Sequence, residues 1–274
     1  MARVLILSSF VAASRVGGGA QALALARLGI EPILAPTVLY GRHPGHGAPG
    51  GAAVSPETLA SVLTGIEAQG TFAALDAVIT GYFATPEQVA VAVDRLQRIK
   101  AAAPAAQIVV DPIMGDDGAP YVREAVAEAI SLHVVPRADL VCPNTWELAH
   151  LTGVAVNDPA TAMTAARALG RPTLVSSIPC DADIGVLYVD ARWGAWIARH
   201  GRSPVAPRGT GDLLTAYFTA ALVHRRAAPQ DALSLAVSVV ADIVAGAVGK
   251  DPLVPTLPFR LAPSRRVQVE AVGD

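Results

Sequence analysis

Short apolar runs of β type alternate with stretches of helical period along this chain, and that alternation restricts its fold more than any other feature. Val4 to Leu7, Ile33 to Leu39, Ala77 to Thr80, Ile108 to Val110, Leu140 to Cys142 and Thr173 to Val175 read as strands. Helical segments fall between them. Ala20 to Leu28 stops at Gly29, and Ser55-Pro56-Glu57 supplies an N-cap and an N1 proline ahead of Leu59, Val62, Leu63 and Ile66 at i, i+3, i+4, i+7 spacing. Thr85-Pro86-Glu87-Gln88 reads as a capping box. Strands joined through helices run parallel, because such a crossover returns the chain to the same end of the sheet. The expectation is one α/β domain over residues 1–274 with a mostly parallel sheet.

Later segments complete the outline. Gly185 to Val189 and Trp193 to Ala198 read as a hairpin, with Trp193 and Trp196 alternating on a strand in packing roles. Gly209 to Arg226 and Gln230 to Val248 read as two long final helices. Residues 40–52, rich in glycine and proline, supply no core and read as a flap. The proline-rich tail from residue 252 is expected on the surface, partly ordered.

Composition excludes several classes. The 52% hydrophobic share is inflated by alanine, and no uninterrupted apolar run reaches the roughly 18 to 20 residues of a membrane span. Leu233 to Val248 is broken by Asp242, and the apolar run after Met1 is too short for a signal-peptide core. A soluble cytoplasmic protein is expected, with no membrane partner. Net charge is −2 with mixed signs, so the basic footprint of a nucleic-acid binder is missing. Cys142 and Cys180 lack metal-type spacing and read as plain small residues in a reducing compartment.

Chemistry gathers where predicted strands end, the usual ligand side of an open α/β sheet. Gly209-Thr210-Gly211-Asp212 runs straight into an apolar helix. Glycines around a threonine turn several amides toward one point at a helix N-terminus, which favours phosphate oxygens. Asp212 in the first turn would lie beside that phosphate as a base for an attacking hydroxyl. A glycine turn with a capping aspartate is the plainer alternative. Asp111-Pro112-Ile113-Met114-Gly115-Asp116-Asp117-Gly118 places three carboxylates around a tight loop able to hold Mg²⁺ through oxygens or waters. Asn144-Thr145-Trp146-Glu147 adds an amide and a carboxylate that share a helix face if Asn144 caps the helix; simple capping with a solvated glutamate is the competing reading. Three phosphate- or metal-compatible loops at successive junctions point to phosphoryl transfer to an alcohol.

These motifs, with Ser8-Ser9, Thr37-Val38, Thr80-Gly81-Tyr82 and Cys142-Pro143-Asn144, make the chain similar to the ribokinase-like superfamily, and within it to the pyridoxal kinases of vitamin B6 salvage. The resemblance covers nearly the whole length. It implies a three-layer α/β/α sandwich and ATP- and Mg²⁺-dependent phosphorylation of the 5′-hydroxymethyl group of pyridoxal or a related vitamer, with room for an assisting monovalent cation. Asp212 would be the base, and Gly209, Thr210 and Gly211 the anion hole. Asp111 and Glu147 would position Mg²⁺ and phosphates through waters. Asn144, Ser176, Ser177 and Arg208 would lie toward the nucleotide, and Ser9, Thr37, His43 and Tyr82 toward the vitamer. A homodimer is also implied.

The segment after Ser9 departs from the family, Phe10 standing where many members have histidine, so vitamer preference is open. Arg15-Val16-Gly17-Gly18-Gly19-Ala20-Gln21 resembles hydroxymethylpyrimidine kinases of the same superfamily, which often carry cysteine in place of Asp212. A vitamer-binding protein without catalysis is the third possibility, and an intact base and glycine turn argue against it.

Overall fold

The computed structural model describes residues 1–116, 119–203, 207–246 and 263–273. In chain order its elements are β1 (Arg3–Val11), α1 (Gly17–Arg27), β2 (Glu31–Tyr40), β3 (Gly51–Ala53), α2 (Pro56–Ala68), β4 (Ala77–Thr80) and α3 (Pro86–Ala102). There follow β5 (Gln107–Val110), β6 (Gly115–Asp116), β7 (Ala119–Pro120), α4 (Glu124–Ala129), β8 (Leu140–Val141), α5 (Thr145–Thr152) and α6 (Pro159–Leu169). The last third holds β9 (Thr173–Cys180), β10 (Asp183–Asp190), β11 (Gly194–Gly201), α7 (Thr210–Val223), α8 (Pro229–Gly246) and β12 (Val269–Val272).

One sheet of order β12-β11-β10-β9-β8-β5-β4-β1-β2-β3 forms the middle layer. Its centre, β9-β8-β5-β4-β1-β2, is parallel, and antiparallel strands finish both edges. Alternate residues of each strand feed opposite cores, as strand geometry requires. Val4, Ile6, Ala77 and Ile79 pack with α1, α7 and α8, whereas Leu5, Leu7, Val78 and Val110 pack with α2, α3 and α4. A third cluster joins α5 and α6 to β9, β10 and β11. This is the expected three-layer α/β/α sandwich.

Helix α7 is buried without a break from Leu213 to Ala221, which accounts for a run apolar on every side. Tyr217 and Phe218 are fully enclosed, and such side chains stabilise a core by about 1.5–3 kcal/mol each. Helix α8 is long and apolar enough to cross a membrane, yet 61% of that window is buried inside the fold, against α7, β10 and β11.

Several boundaries move. Strand β1 continues through Ser8 and Ser9, and α1 begins three residues early on its glycines, with Gly17 at φ +59°. Strand β9 also continues through Ser176 and Ser177. There a β-bulge sets both serines opposite one residue of β10, and Ser177 takes φ +64°. Trp193 lies in the β10–β11 turn rather than on a strand, half-exposed, with the Arg192 guanidinium 5.1 Å from its ring centre. The Thr85 box is one-sided: Thr85 accepts from the Gln88 amide, but the Gln88 side chain accepts from Ala84 and donates to the carbonyls of Thr37 and Val54. The end of the tail forms β12 along β11. Asp117, residues 252–262 and the end of the last predicted helix at Val248 lie outside the described residues.

Candidate active site

The glycine turn forms as expected. Gly209 is the N-cap of α7 at φ +89°, and a Cβ there would lie 2.3 Å from the Arg15 carbonyl, so only glycine fits. Thr210, Gly211 and Asp212 occupy the first helical turn, whose amides have no carbonyl one turn earlier to bond. Asp212 does not cap its own helix. Its Oδ2 accepts a 2.8 Å hydrogen bond from the Gly17 amide at the start of α1. Two helix N-termini therefore converge on this carboxylate. Oδ1 is sealed from solvent without a partner, and a buried polar atom left open in that way is a place for a ligand donor. Burial pushes Asp212 up to about 6, against the pull of the Gly17 amide.

Asp111 lies just past β5 and is buried. Its carboxyl stands well above the usual range through burial, then the charges of Asp212 and Glu147, while a hydrogen bond from Thr215 opposes them. These three carboxylates thus form one electrostatic group. The next residues turn sharply, with Ile113 at φ +43°, into the short β6–β7 hairpin.

Asn144 caps α5 in a reciprocal capping box, so capping is correct, but the glutamate is not solvated. Glu147 is 3% exposed, and its oxygens accept from the amides of Met114 at 2.8 Å and Asn144 at 2.9 Å. Burial pushes it up to about 7 despite the amides of Asn144, Met114 and Gly115. The Asn144 side chain accepts from the Glu147 amide and donates to the Gly115 carbonyl. Asn144 and Glu147 therefore clamp the Asp111 loop. Ser176 bridges to Asn144 and donates its amide to Pro143, while Ser177 is exposed on the bulge.

Among the residues expected to face the vitamer, the hydroxyls mostly serve the backbone. Ser8 accepts from the Tyr82 amide at 3.3 Å, and buried Thr37 donates to the Tyr82 carbonyl at 2.6 Å. Together they fix the peptide that presents Tyr82, whose phenol burial raises. Ser9 is buried beside Gly17, where a Cβ would fall 2.0 Å from its Oγ. His43 opens a 3₁₀ turn in the flap and accepts from the Gly45 amide. Burial, then the positive charge of Arg208, lowers its pKa, which places the flap and the residue before the glycine turn within electrostatic reach. Arg208 is exposed and reaches the Tyr121 hydroxyl at 3.3 Å.

Three contributors escaped the sequence reading: the Gly17 amide, the Tyr121 hydroxyl and Thr215. Thr215 lies three residues beyond Asp212 on the same helix face, and Gly17 stands in the glycine-rich segment Arg15 to Gln21. A cavity of about 690 Å³ lined by Asp76, Gln107, Asp139, Tyr188 and Trp193 opens at the other, amino-terminal ends of the parallel strands and shares no residue with this site.

Comparison with known proteins agrees with this geometry. Residues 54–252 match the family model described as phosphomethylpyrimidine kinase. The chain is 35% identical to the pyridoxal kinase PdxY of Leifsonia xyli subsp. xyli, covering 99% of this chain and 100% of that protein. It is 35% identical to a pyridoxine/pyridoxal/pyridoxamine kinase of Bordetella avium, over 80% of this chain and 77% of that one. The crystal structure of pyridoxal kinase from Entamoeba histolytica superimposes with a TM-score of 0.90 at 25% identity, covering 99% of this chain and 100% of that one. A chain matched end to end by such kinases, with a glycine turn, a buried aspartate and an acidic loop gathered at the strand ends, belongs to the pyridoxal kinase family.

Proposed function

We propose that the protein transfers the γ-phosphoryl group of ATP to the 5′-hydroxymethyl group of pyridoxal, and of related vitamers. The observation that carries this reading is the Asp212 carboxylate: one oxygen is tied to Gly17, and the other is buried and unpartnered beside the α7 N-terminus. A substrate hydroxyl donating to Oδ1 satisfies that atom and passes its proton there as the oxygen attacks phosphorus. The amides of Gly209, Thr210 and Gly211 stabilise charge on the phosphoryl oxygens in transit. His43 and the flap cover the substrate and exclude water, and Ser9 and Tyr82 face the ring.

Among the described residues no group of three or more His, Cys, Asp or Glu side chains forms a ready metal site. Mg²⁺ keeps several waters and is held by one or two carboxylates together with substrate phosphates. Asp111 is the carboxylate assigned to it; Glu147, with oxygens on backbone amides, acts by holding the loop. Bound Mg²⁺ would neutralise phosphate charge. Asn144, Ser176, Ser177 and Arg208 lie toward the nucleotide in this reading.

A second reading, phosphorylation of hydroxymethylpyrimidine, draws on the description of the matching family model. Incubation with Mg-ATP and each alcohol in competition, with products read by mass spectrometry, separates the two. Preferred phosphorylation of the pyrimidine overturns the first. A homodimer is proposed as well, supported by exposed Phe10 and Leu39, partners across β1 and β2, and is checked by light scattering. The free Cys142 and Cys180 are in keeping with a reducing, cytoplasmic setting.

A further inference from the structure

The helix that carries the base also carries a hydroxyl aimed at the acidic loop. Thr215 lies three residues beyond Asp212 on α7, so both side chains project from one helix face. Its Oγ1 donates to Asp111 Oδ2 at 3.0 Å, with Thr215 2% and Asp111 8% exposed. The hydroxyl proton is thereby committed to Asp111. A threonine inside a helix commonly bonds back to the carbonyl four residues earlier; Thr215 reaches a side chain 104 residues away in sequence. Thr219, one turn further on, leaves its buried hydroxyl unpartnered, so the Asp111 contact is not something the helix imposes on every threonine.

We propose that Thr215 is a positioning residue: by holding the Asp111 carboxylate in one rotamer, it lets α7 set the spacing between the base and the carboxylate assigned to metal and phosphate. The α7 segment between and beyond them is buried on all sides, so the helix acts as a rigid ruler. This inference rests on the phosphotransferase reading of the site.

The test uses the full chain with Thr215→Val, which keeps the shape and removes the hydroxyl, and Thr215→Ser, which keeps the hydroxyl. Mn²⁺ binding in the presence of ADP is measured by electron paramagnetic resonance, alongside kcat, KM for pyridoxal and thermal unfolding. Losing a group that orients a metal carboxylate weakens metal binding by roughly 10–100-fold. T215V is expected to lose Mn²⁺ affinity in that range, with a parallel fall in kcat and KM for pyridoxal within about twofold; T215S restores both. Wild-type Mn²⁺ binding in T215V, or equal impairment in T215S, overturns the proposal. Should T215V fail to fold, Thr215→Cys, a weaker donor of similar size, takes its place; a Mn²⁺ affinity between those of wild type and Asp111→Asn supports the proposal, and wild-type affinity overturns it. Failure of the unaltered protein to phosphorylate pyridoxal refutes the functional reading instead, and the Mn²⁺ titration still decides the role of Thr215.

Discussion

Asp212→Asn should make the protein more stable and nearly inactive, with a gain in stability that depends on pH. Burial raises this carboxyl from 3.8 to about 6, so the folded protein holds the proton more tightly than the unfolded chain does. Below pH 3.8 both states are protonated and nothing is lost. As pH rises through 6 the folded state must ionise a buried group, at about 1.4 kcal/mol per pH unit of difference, or ~3 kcal/mol in all. Asparagine removes that cost and keeps an oxygen for the Gly17 amide, although the bond loses its charge, worth about 1 kcal/mol. The net gain at pH 8 is ~2 kcal/mol, a rise in Tm of roughly 4–8 °C at about 2–4 °C per kcal/mol. At pH 5 about half of the penalty is already relieved in the parent protein, so the gain shrinks. Turnover should fall by about 10²–10⁴ with the base removed. Thermal melts by circular dichroism at both pH values, with a product assay at pH 8, provide the comparison. Equal Tm changes at pH 5 and pH 8, or activity within tenfold of the parent, would refute the assignment of a buried base.

Other perturbations give separate outcomes. For the parent enzyme, kcat/KM for pyridoxal should fall as pH drops below about 6, where Asp212 takes up its proton, and level off above; a profile still climbing tenfold between pH 7 and 8 contradicts this. Gly209→Ala introduces a Cβ against the Arg15 carbonyl at a left-handed position, so activity should drop at least about a hundredfold while far-UV circular dichroism keeps its α/β form. Near-normal turnover there would mean that the turn can be built another way. Glu147→Ala strands the amides of Met114 and Asn144, at about 1–3 kcal/mol per donor, which urea unfolding should report. No change in the midpoint would place those amides on water.

Much of the architecture could be read from local pattern because each parallel strand is bounded by its own helix signals. Ala77 to Thr80 lies between a helix before it and Gly81 after it, and the predicted and observed strands coincide. Likewise Gly209 to Asp212 combines a conformational requirement with a chemical one inside four residues. Features set by distant partners were not legible in this way. Strand β12 is four residues long and exists only because β11, some seventy residues earlier, offers it an edge. The bulge at Ser176 and Ser177 depends on register with β10, which no periodicity in β9 reports. The family resemblance points Thr37 toward the vitamer and Glu147 toward Mg²⁺ and phosphates. The structure turns their polar atoms inward, onto the Tyr82 carbonyl and onto the amides of Met114 and Asn144, because buried peptide groups must be paired before a ligand arrives.

Strand β12 bears on how the protein can be handled. Its pairing, strengthened by Arg199 and Glu270 at 2.7 Å, covers a row of β11 peptide groups that would otherwise face solvent. Shortening the expressed polypeptide before residue 263 would uncover that row and invite copies to join edge to edge. An affinity tag is better fused at Met1, ahead of a strand enclosed on both sides, than joined to the strand that closes the sheet.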